Sequence, residues 1–411
     1  RGLGDVYKRQ LVYTAGKFGI DDSGSMRICF RFASDQTRPQ FENPTGPNYT
    51  TIVASNNAVL NYHYDPKGNV RPWDRTLYIK VVRGFLKEGD TITVKFGDKS
   101  KGSPGMRLQT FCEESYEFHT LVDPIATYCY QPMPEQPTIK IVPGPAERFL
   151  AIGPTIRAVG EPFQIKIKGE DKWGNPTNLC DYEFDAISTC KIEGLPKKVT
   201  LKPGEFTATL SDLRVQTAED FTVEFTNDVN NIAFETNPIR IEEKPQSRHF
   251  WGDLHGQSEE TIGTNSAEAY FKFARDLAFV DVSGHQGNDF QITTDFWKHL
   301  DELCKKFNQD GKFIAIPGYE WSGNTGLGGD RNIYFPTEGR TLRRSSHALV
   351  SDHSDISTDC NSATELFSAF AENDESDVVV YAHCGGRYAD IELAHDGRFE
   401  KSMEIHSSWG T

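Results

Sequence analysis

Histidine is unevenly distributed along this chain. Of 11 histidines, nine fall at or after His249 in a sequence of 411 residues. Three of these, His255, His285 and His383, share a setting with Glu320: each closes a short apolar run, at residues 250–255, 279–285, 378–383 and 313–320 respectively. A single histidine at a strand end is more often a capping or core group than a ligand. Four such residues at equivalent positions point to a metal site instead. If the runs are parallel strands, their C-terminal ends converge on one face, where active sites of βα architectures sit. Three imidazoles and a carboxylate would meet there, a mixed nitrogen and oxygen set that suits one or two divalent ions of zinc, manganese or iron. Such an ion lowers the pKa of a bound water toward neutrality, and hydrolysis is the chemistry that follows. Glycines adjoin each candidate (Gly252 and Gly256, Gly284 and Gly287, Gly318, Gly385 and Gly386); they leave room for close approach, or simply punctuate loops.

The elements that must carry these groups are of two kinds. Before residue 244 the sequence alternates polar and apolar residues in short stretches, as in TITVKF (91–96), FQIKIK (163–168) and FTVEF (221–225). That pattern marks strands with one face buried and one wet. Turn-rich stretches separate them, and a proline-rich break, QPMPEQP at 131–137, divides two all-β, sandwich-like modules, residues 11–136 and 137–243. The segment GEPFQIKIKGEDKWGNP at 160–176 resembles strand-and-turn segments of immunoglobulin-like domains. Residues 1–10, RGLGDVYKRQ, resemble a translated sequencing adapter and are set aside as non-native. From residue 244 onward, apolar strands alternate with amphipathic helices. Asn265 with Glu268, and Ser362 with Glu365, have the spacing of helix-capping boxes. Phe296, Trp297, Leu300, Leu303, Cys304 and Phe307 fall on one helical face. Residues 244–411 therefore read as an α/β domain built on a mostly parallel sheet or a barrel.

Composition narrows the function classes. There are 44 basic and 59 acidic side chains, a net charge of −15, which argues against nucleic acid and anionic membrane surfaces as partners. No apolar run is long enough for a membrane span. Eight cysteines are scattered with no CxxC pair, which argues against a structural zinc knuckle; Cys180 and Cys190 are near enough to bridge in an oxidising compartment, and buried free thiols are the expected state. No phosphate-binding glycine loop or GxSxG elbow is present. The β-rich first half favours an exported or periplasmic protein over a cytoplasmic one.

The motifs of residues 246–411 resemble the polymerase and histidinol phosphatase (PHP) superfamily, and within it the domain-of-unknown-function 3604 group. WGDLHGQS (251–258) is similar to the first motif, usually Asp-Leu-His-x-His; VDVSGH (280–285), PGYE (317–320) and VVVYAHC (378–384) follow in the superfamily's order. The resemblance implies a distorted (β/α) barrel, incomplete at its C-terminal end because the usual final Asp-x-His pair is not found. It makes His255, His285, Glu320 and His383 metal ligands, with Asp330 a fifth where relatives place a histidine. Gln257 departs from the pattern by replacing the second histidine of the first motif; it is positioned to hydrogen-bond a metal-bound water. Asp253 is placed to orient an imidazole, and Arg387 to stabilise negative charge developing on substrate. Glu404 and His406 lie on a late strand, with a structural or substrate-side role expected. The implied activity is metal-dependent hydrolysis of a small-molecule ester, a phosphoester by kinship. The alternative is a glycan- or protein-binding protein that keeps only a structural ion.

Overall fold

The computed structural model describes residues 6–407. Three hydrophobic cores divide it, two enclosed by strands and one by strands and helices. The first core lies between a five-stranded sheet, containing Ser25–Phe30 and Arg75–Arg83 at its centre, and a three-stranded sheet centred on Thr91–Phe96. Alternation works as expected here: Ile92, Val94 and Phe96 are buried. Residues 6–10 are folded into this module, with Val6–Tyr7 paired to Met106–Arg107 and Arg9–Thr14 paired to Thr91–Phe96. The module also runs past the expected boundary at Gln136, because Thr138–Ile141 pairs with Glu113–Glu117 and buries Ile141 in the first core.

The second module packs Phe163, Ile165 and Ile167 against Phe221, Val223 and Phe225. These are the inward positions of the alternating runs, on strands Phe163–Glu170, Asp220–Phe221 and Val223–Asn227. Cys180 and Cys190 lie in this core as free thiols, and all eight cysteines are unbridged.

The third unit begins with a parallel sheet of β1 (Gly252–Gly256), β2 (Val282–His285) and β3 (Ile314–Ile316), joined by α1 (Ala267–Phe273) and α2 (Thr294–Phe307). The α2 face expected from sequence is the buried one, with Trp297, Leu300, Leu303, Cys304 and Phe307 turned to the core. The apolar run 313–320 is not one strand. It breaks at Pro317, which has no amide to donate to a ladder, into β3 and β4 (Gly318–Ser322). Only the first half of the unit is parallel. β4 turns through residues 323–329 into β5 (Asp330–Tyr334), and so short a connection can only give an antiparallel pair. After α3 (Ala363–Glu372), β6 (Val379–Ala382) pairs antiparallel with β5, and β7 (Glu400–Met403) is parallel to β6. The described residues of this unit therefore form two sheets, one parallel and one mixed, and no closed barrel. Tyr334 Oη donates to Leu254 O at 2.9 Å and ties one sheet to the other.

Helix caps and buried arginines fix the loops. Ser362 caps α3 by accepting the Glu365 amide. α1 is capped by Ser266 rather than Asn265. The Asn265 side chain instead bridges to the first module, accepting the Glu114 amide at 3.0 Å and donating to Cys112 O at 3.2 Å. Arg331, fully buried on β5, pairs with Glu400 at 3.1 Å and donates to the carbonyls of Gly329 and Ala394. That one guanidinium holds the turn before β5, the loop after β6 and the start of β7 in register. Among the described residues, no helix is long and apolar enough to cross a membrane.

Candidate metal centre

Three of the expected ligands come together. Ligand atoms of His255, Glu320 and His383 all lie within 4.8 Å of one another, the one such group among the described residues. His255 Nε2 is 3.6 Å from Glu320 Oε2, and His383 Nε2 is 3.9 Å from Glu320 Oε1. Two donors bound at about 2.1 Å in tetrahedral geometry lie roughly 3.4 Å apart, so the set is close to a metal's spacing as it stands. Strand geometry brings them there: His255 is near the end of β1, Glu320 is in the middle of β4, and His383 follows β6 directly. Gly256 is required beside them, since a Cβ there would collide with the Tyr270 ring.

A second carboxylate belongs to the cluster. Glu404, one residue past β7, has Oε1 at 2.5 Å from His255 Nδ1 and Oε2 at 3.6 Å from His383 Nε2. Asn332 Nδ2 donates to Glu404 Oε1 at 2.6 Å. With Nδ1 of His255 engaged by Glu404, its Nε2 is left facing Glu320 and His383. That is the arrangement by which a carboxylate fixes the tautomer of a ligating imidazole. Glu320 is held in turn by Asn288 Nδ2 at 2.6 Å and Gln257 Nε2 at 3.3 Å. Burial disfavours the charge on His255, but hydrogen bonds and charge from Glu320 and Glu404 outweigh it and lift the ring to about 10. The Glu404 carboxyl is correspondingly held down: burial pushes it up, and His255 and His383 more than offset that. Two buried polar atoms here, His383 Nδ1 and Glu404 Oε2, make no hydrogen bond. Unpartnered donors and acceptors at a buried site cost about 1–3 kcal/mol each; a cation in the gap would satisfy Glu404 Oε2, while His383 Nδ1 lies on the ring edge away from the Nε2 that faces Glu320.

The other expected residues are placed differently. His285 is not in the cluster. Its ring is buried between Tyr270 and Phe296, where burial drops its pKa to about 3. The Gly287 amide donates to Nδ1 at 3.3 Å, which leaves the ring proton on Nε2, 2.8 Å from Ser258 Oγ. Both nitrogens are committed, so His285 is a satisfied core histidine supporting the segment after β1. Asp330 opens β5 beside the cluster but bonds Arg387 Nε through both oxygens, at 3.0 and 3.3 Å. Burial and the Glu320 charge push its carboxyl up, and Arg387 pulls it back. Asp253 is exposed and accepts the backbone amide of His255 at 3.1 Å, so Glu404, not Asp253, orients the imidazole. Gln257 steadies Glu320 and accepts from Thr261 Oγ1 at 3.0 Å. Arg387, anchored by Asp330, lines the cavity above the cluster, as does His406.

Fold and site together define a chain with two β modules and an α/β unit carrying a two-histidine, two-carboxylate centre. Residues 228–386 match the family model described as a protein of unknown function, DUF3604, as the motif order led us to expect. An uncharacterized protein of Chlamydia pneumoniae is 23% identical over 336 residues, covering 79% of this chain and 52% of that protein. One from Chlamydia trachomatis is 24% identical over 267 residues, covering 63% and 42%. The chain thus spans about half the length of the curated relatives it matches. Among solved structures, the D00–D0 domain of intimin aligns with 57% of this chain and 100% of its own at 8% identity and a TM-score of 0.22. The C-terminal domain of the Streptococcus agalactiae antigen I/II polypeptide BspA covers 59% of this chain and 94% of its own, at 10% identity and a TM-score of 0.25. Likenesses that slight do not bear on the fold.

Proposed function

We propose that the third unit is a metal-dependent hydrolase of the PHP type, acting on phosphoesters, with one divalent ion held by His255, Glu320 and His383. The observation that carries this reading is the convergence of those three side chains with buried polar atoms left unpartnered around them. Zinc, manganese or iron suits the mixed nitrogen and oxygen donors, and such an ion supplies an activated water and polarises the scissile group. The chain's own residues do the rest. Glu404 and Asn332 hold the His255 ring, and Asn288 and Gln257 hold Glu320. Arg387, kept in place by Asp330 through Nε, lines the cavity where negative charge would develop on a phosphoryl oxygen. Gln257 thus contributes by positioning a ligand and is not one itself.

The test is metal content and turnover measured together on the purified chain. Bound metal is quantified by mass spectrometry, and phosphomonoesters, phosphodiesters and carboxyl esters are screened. His255→Ala and His383→Ala are expected to lose both metal and turnover while keeping the wild-type circular dichroism spectrum. Turnover unchanged in both variants would remove the hydrolase reading. Stoichiometric metal without turnover on any ester would favour a binding protein with a structural ion.

A further inference from the structure

The cavity over the metal cluster, about 920 Å³ in volume, is lined by two different units of the chain. The third unit supplies the cluster itself. The first β module supplies Phe32, Ala33, Arg71 and Arg75. Both guanidinium groups lie over the Phe32 ring, at 4.6 Å for Arg71 and 5.9 Å for Arg75. Arg75 also donates to the Ser34 carbonyl, and it forms no ion pair among the described residues. In a chain of net charge −15, a pair of arginines shelved on an aromatic ring beside an acidic centre runs against the general trend. Planar guanidinium groups of this kind match phosphate, sulfate and carboxylate oxygens two at a time.

The module is fixed against the site. Arg31, nearly buried, reaches from the end of the strand Ser25–Phe30 and donates to three carbonyls of the segment that follows β1. Its distances are 2.8 Å to Gly263, 3.2 Å to Thr261 and 2.5 Å to Glu259. Its other face lies 4.8 Å from the Trp73 ring, between Arg71 and Arg75 in sequence. The arginine pair therefore belongs to the site as firmly as the loop carrying Gln257 does. We propose that the substrate carries two anionic groups, the scissile one at the metal cluster and a second taken by Arg71 and Arg75 of the first β module. The inference rests on the hydrolase reading above and adds the substrate class: an ester with a second, separate anionic substituent.

The test compares fructose 1,6-bisphosphate with fructose 6-phosphate as probes, by calorimetry on the manganese-loaded full chain. A second phosphate held by arginine is worth roughly tenfold or more in affinity, the equivalent of one or two charge-assisted hydrogen bonds. Wild type is expected to show that preference for the bisphosphate. Arg71→Ala/Arg75→Ala is expected to abolish it while leaving monophosphate affinity and manganese uptake unchanged. If the alanine pair fails to fold, Arg71→Lys/Arg75→Lys keeps the charge without the fork and is expected to lose most of the preference. Equal affinities in wild type, or a preference that survives either double substitution, would overturn the inference while manganese uptake leaves the metal reading intact. A wild type that takes up no manganese would instead sink the metal reading, and this inference with it.

Discussion

Glu404→Gln tests the proposed metal centre through one of its supports. The carboxylate accepts from His255 Nδ1 at 2.5 Å and from Asn332 Nδ2 at 2.6 Å, and its second oxygen stands 3.6 Å from His383 Nε2 without a hydrogen bond. Glutamine keeps the shape and one acceptor oxygen but removes the charge that faces both imidazoles. Losing the carboxylate behind a ligating histidine typically costs 10–100-fold in metal affinity, or about 1.4–2.7 kcal/mol. The upper half of that range is expected, because the lost charge serves two ligands at once. Competition titration of zinc or manganese against a chelating dye measures the change, with the thermal midpoint as the folding control. Asp253→Asn is the contrasting variant: its carboxylate accepts the His255 backbone amide, not the ring, so affinity should stay within about twofold, below half a kcal/mol. A folded Glu404→Gln protein with wild-type affinity would refute the claim that Glu404 orients His255.

Arg31→Met should free residues 259–263 from the first module. Three charge-assisted hydrogen bonds and the packing on Trp73 are lost, about 3–5 kcal/mol in a chemical-denaturation series, and protease cleavage should appear in that segment. Asp355→Ala strips the partner from Arg344, whose side chain is fully buried; about 3–5 kcal/mol of stability should disappear, read from urea unfolding. The acid limb follows from the same group. Asp355 is partly buried, which raises its pKa, but Arg344, Thr294 and His347 hold it well below the usual carboxylate value. Its contribution is therefore fully present above about pH 4 and is lost as pH falls through the depressed folded value. The thermal midpoint of wild type should drop more steeply than that of Asp355→Asn as pH is lowered below 4. Gly329→Ala should disrupt the turn into β5, because φ is +74° and a Cβ would strike the Tyr388 carbonyl; loss of soluble protein or a large fall in thermal midpoint is the expected result.

What the sequence conveyed best was position along strands. The apolar runs placed His255, Glu320 and His383 at strand ends; His255 and His383 lie at such ends and Glu320 lies within β4, and the three converge. It could not convey which way a terminal side chain turns. His285 is the residue that does end its strand, β2, yet it points between Tyr270 and Phe296. Only the three-dimensional packing of α1 and α2 makes that choice. Glu404 was visible but undervalued, since nothing local distinguishes a carboxylate just beyond a strand from any surface glutamate. Its role depends on β7 lying beside β6, a contact between residues far apart in sequence. The barrel expectation failed at the glycine-rich turn 323–329. The brevity of that stretch dictates a hairpin and hence an antiparallel pair. The first module's boundary was misplaced by five residues because QPMPEQP breaks the chain locally, while the strand after it still pairs backward onto Glu113–Glu117.

These corrections bear on one another. Removing His285 from the ligand set and adding Glu404 behind His255 shift the centre away from the parallel half of the unit. Three of its four side chains, Glu320, His383 and Glu404, come from the mixed sheet or the residues just after its strands, and the geometry of that sheet depends on Arg331 and Glu400. His255 comes from the parallel sheet, on a strand whose following segment is clamped by Arg31 of the first module. The relative placement of His255 and Glu320 therefore depends on two buried guanidinium groups that never touch either residue. A β module that merely carried the α/β unit would have no reason to bury an arginine against three backbone carbonyls of that unit, because each such contact costs desolvation unless the two parts fold as one. On that physical ground the first module is a structural component of the centre, and substitutions at its inner face should register in metal affinity as well as in stability.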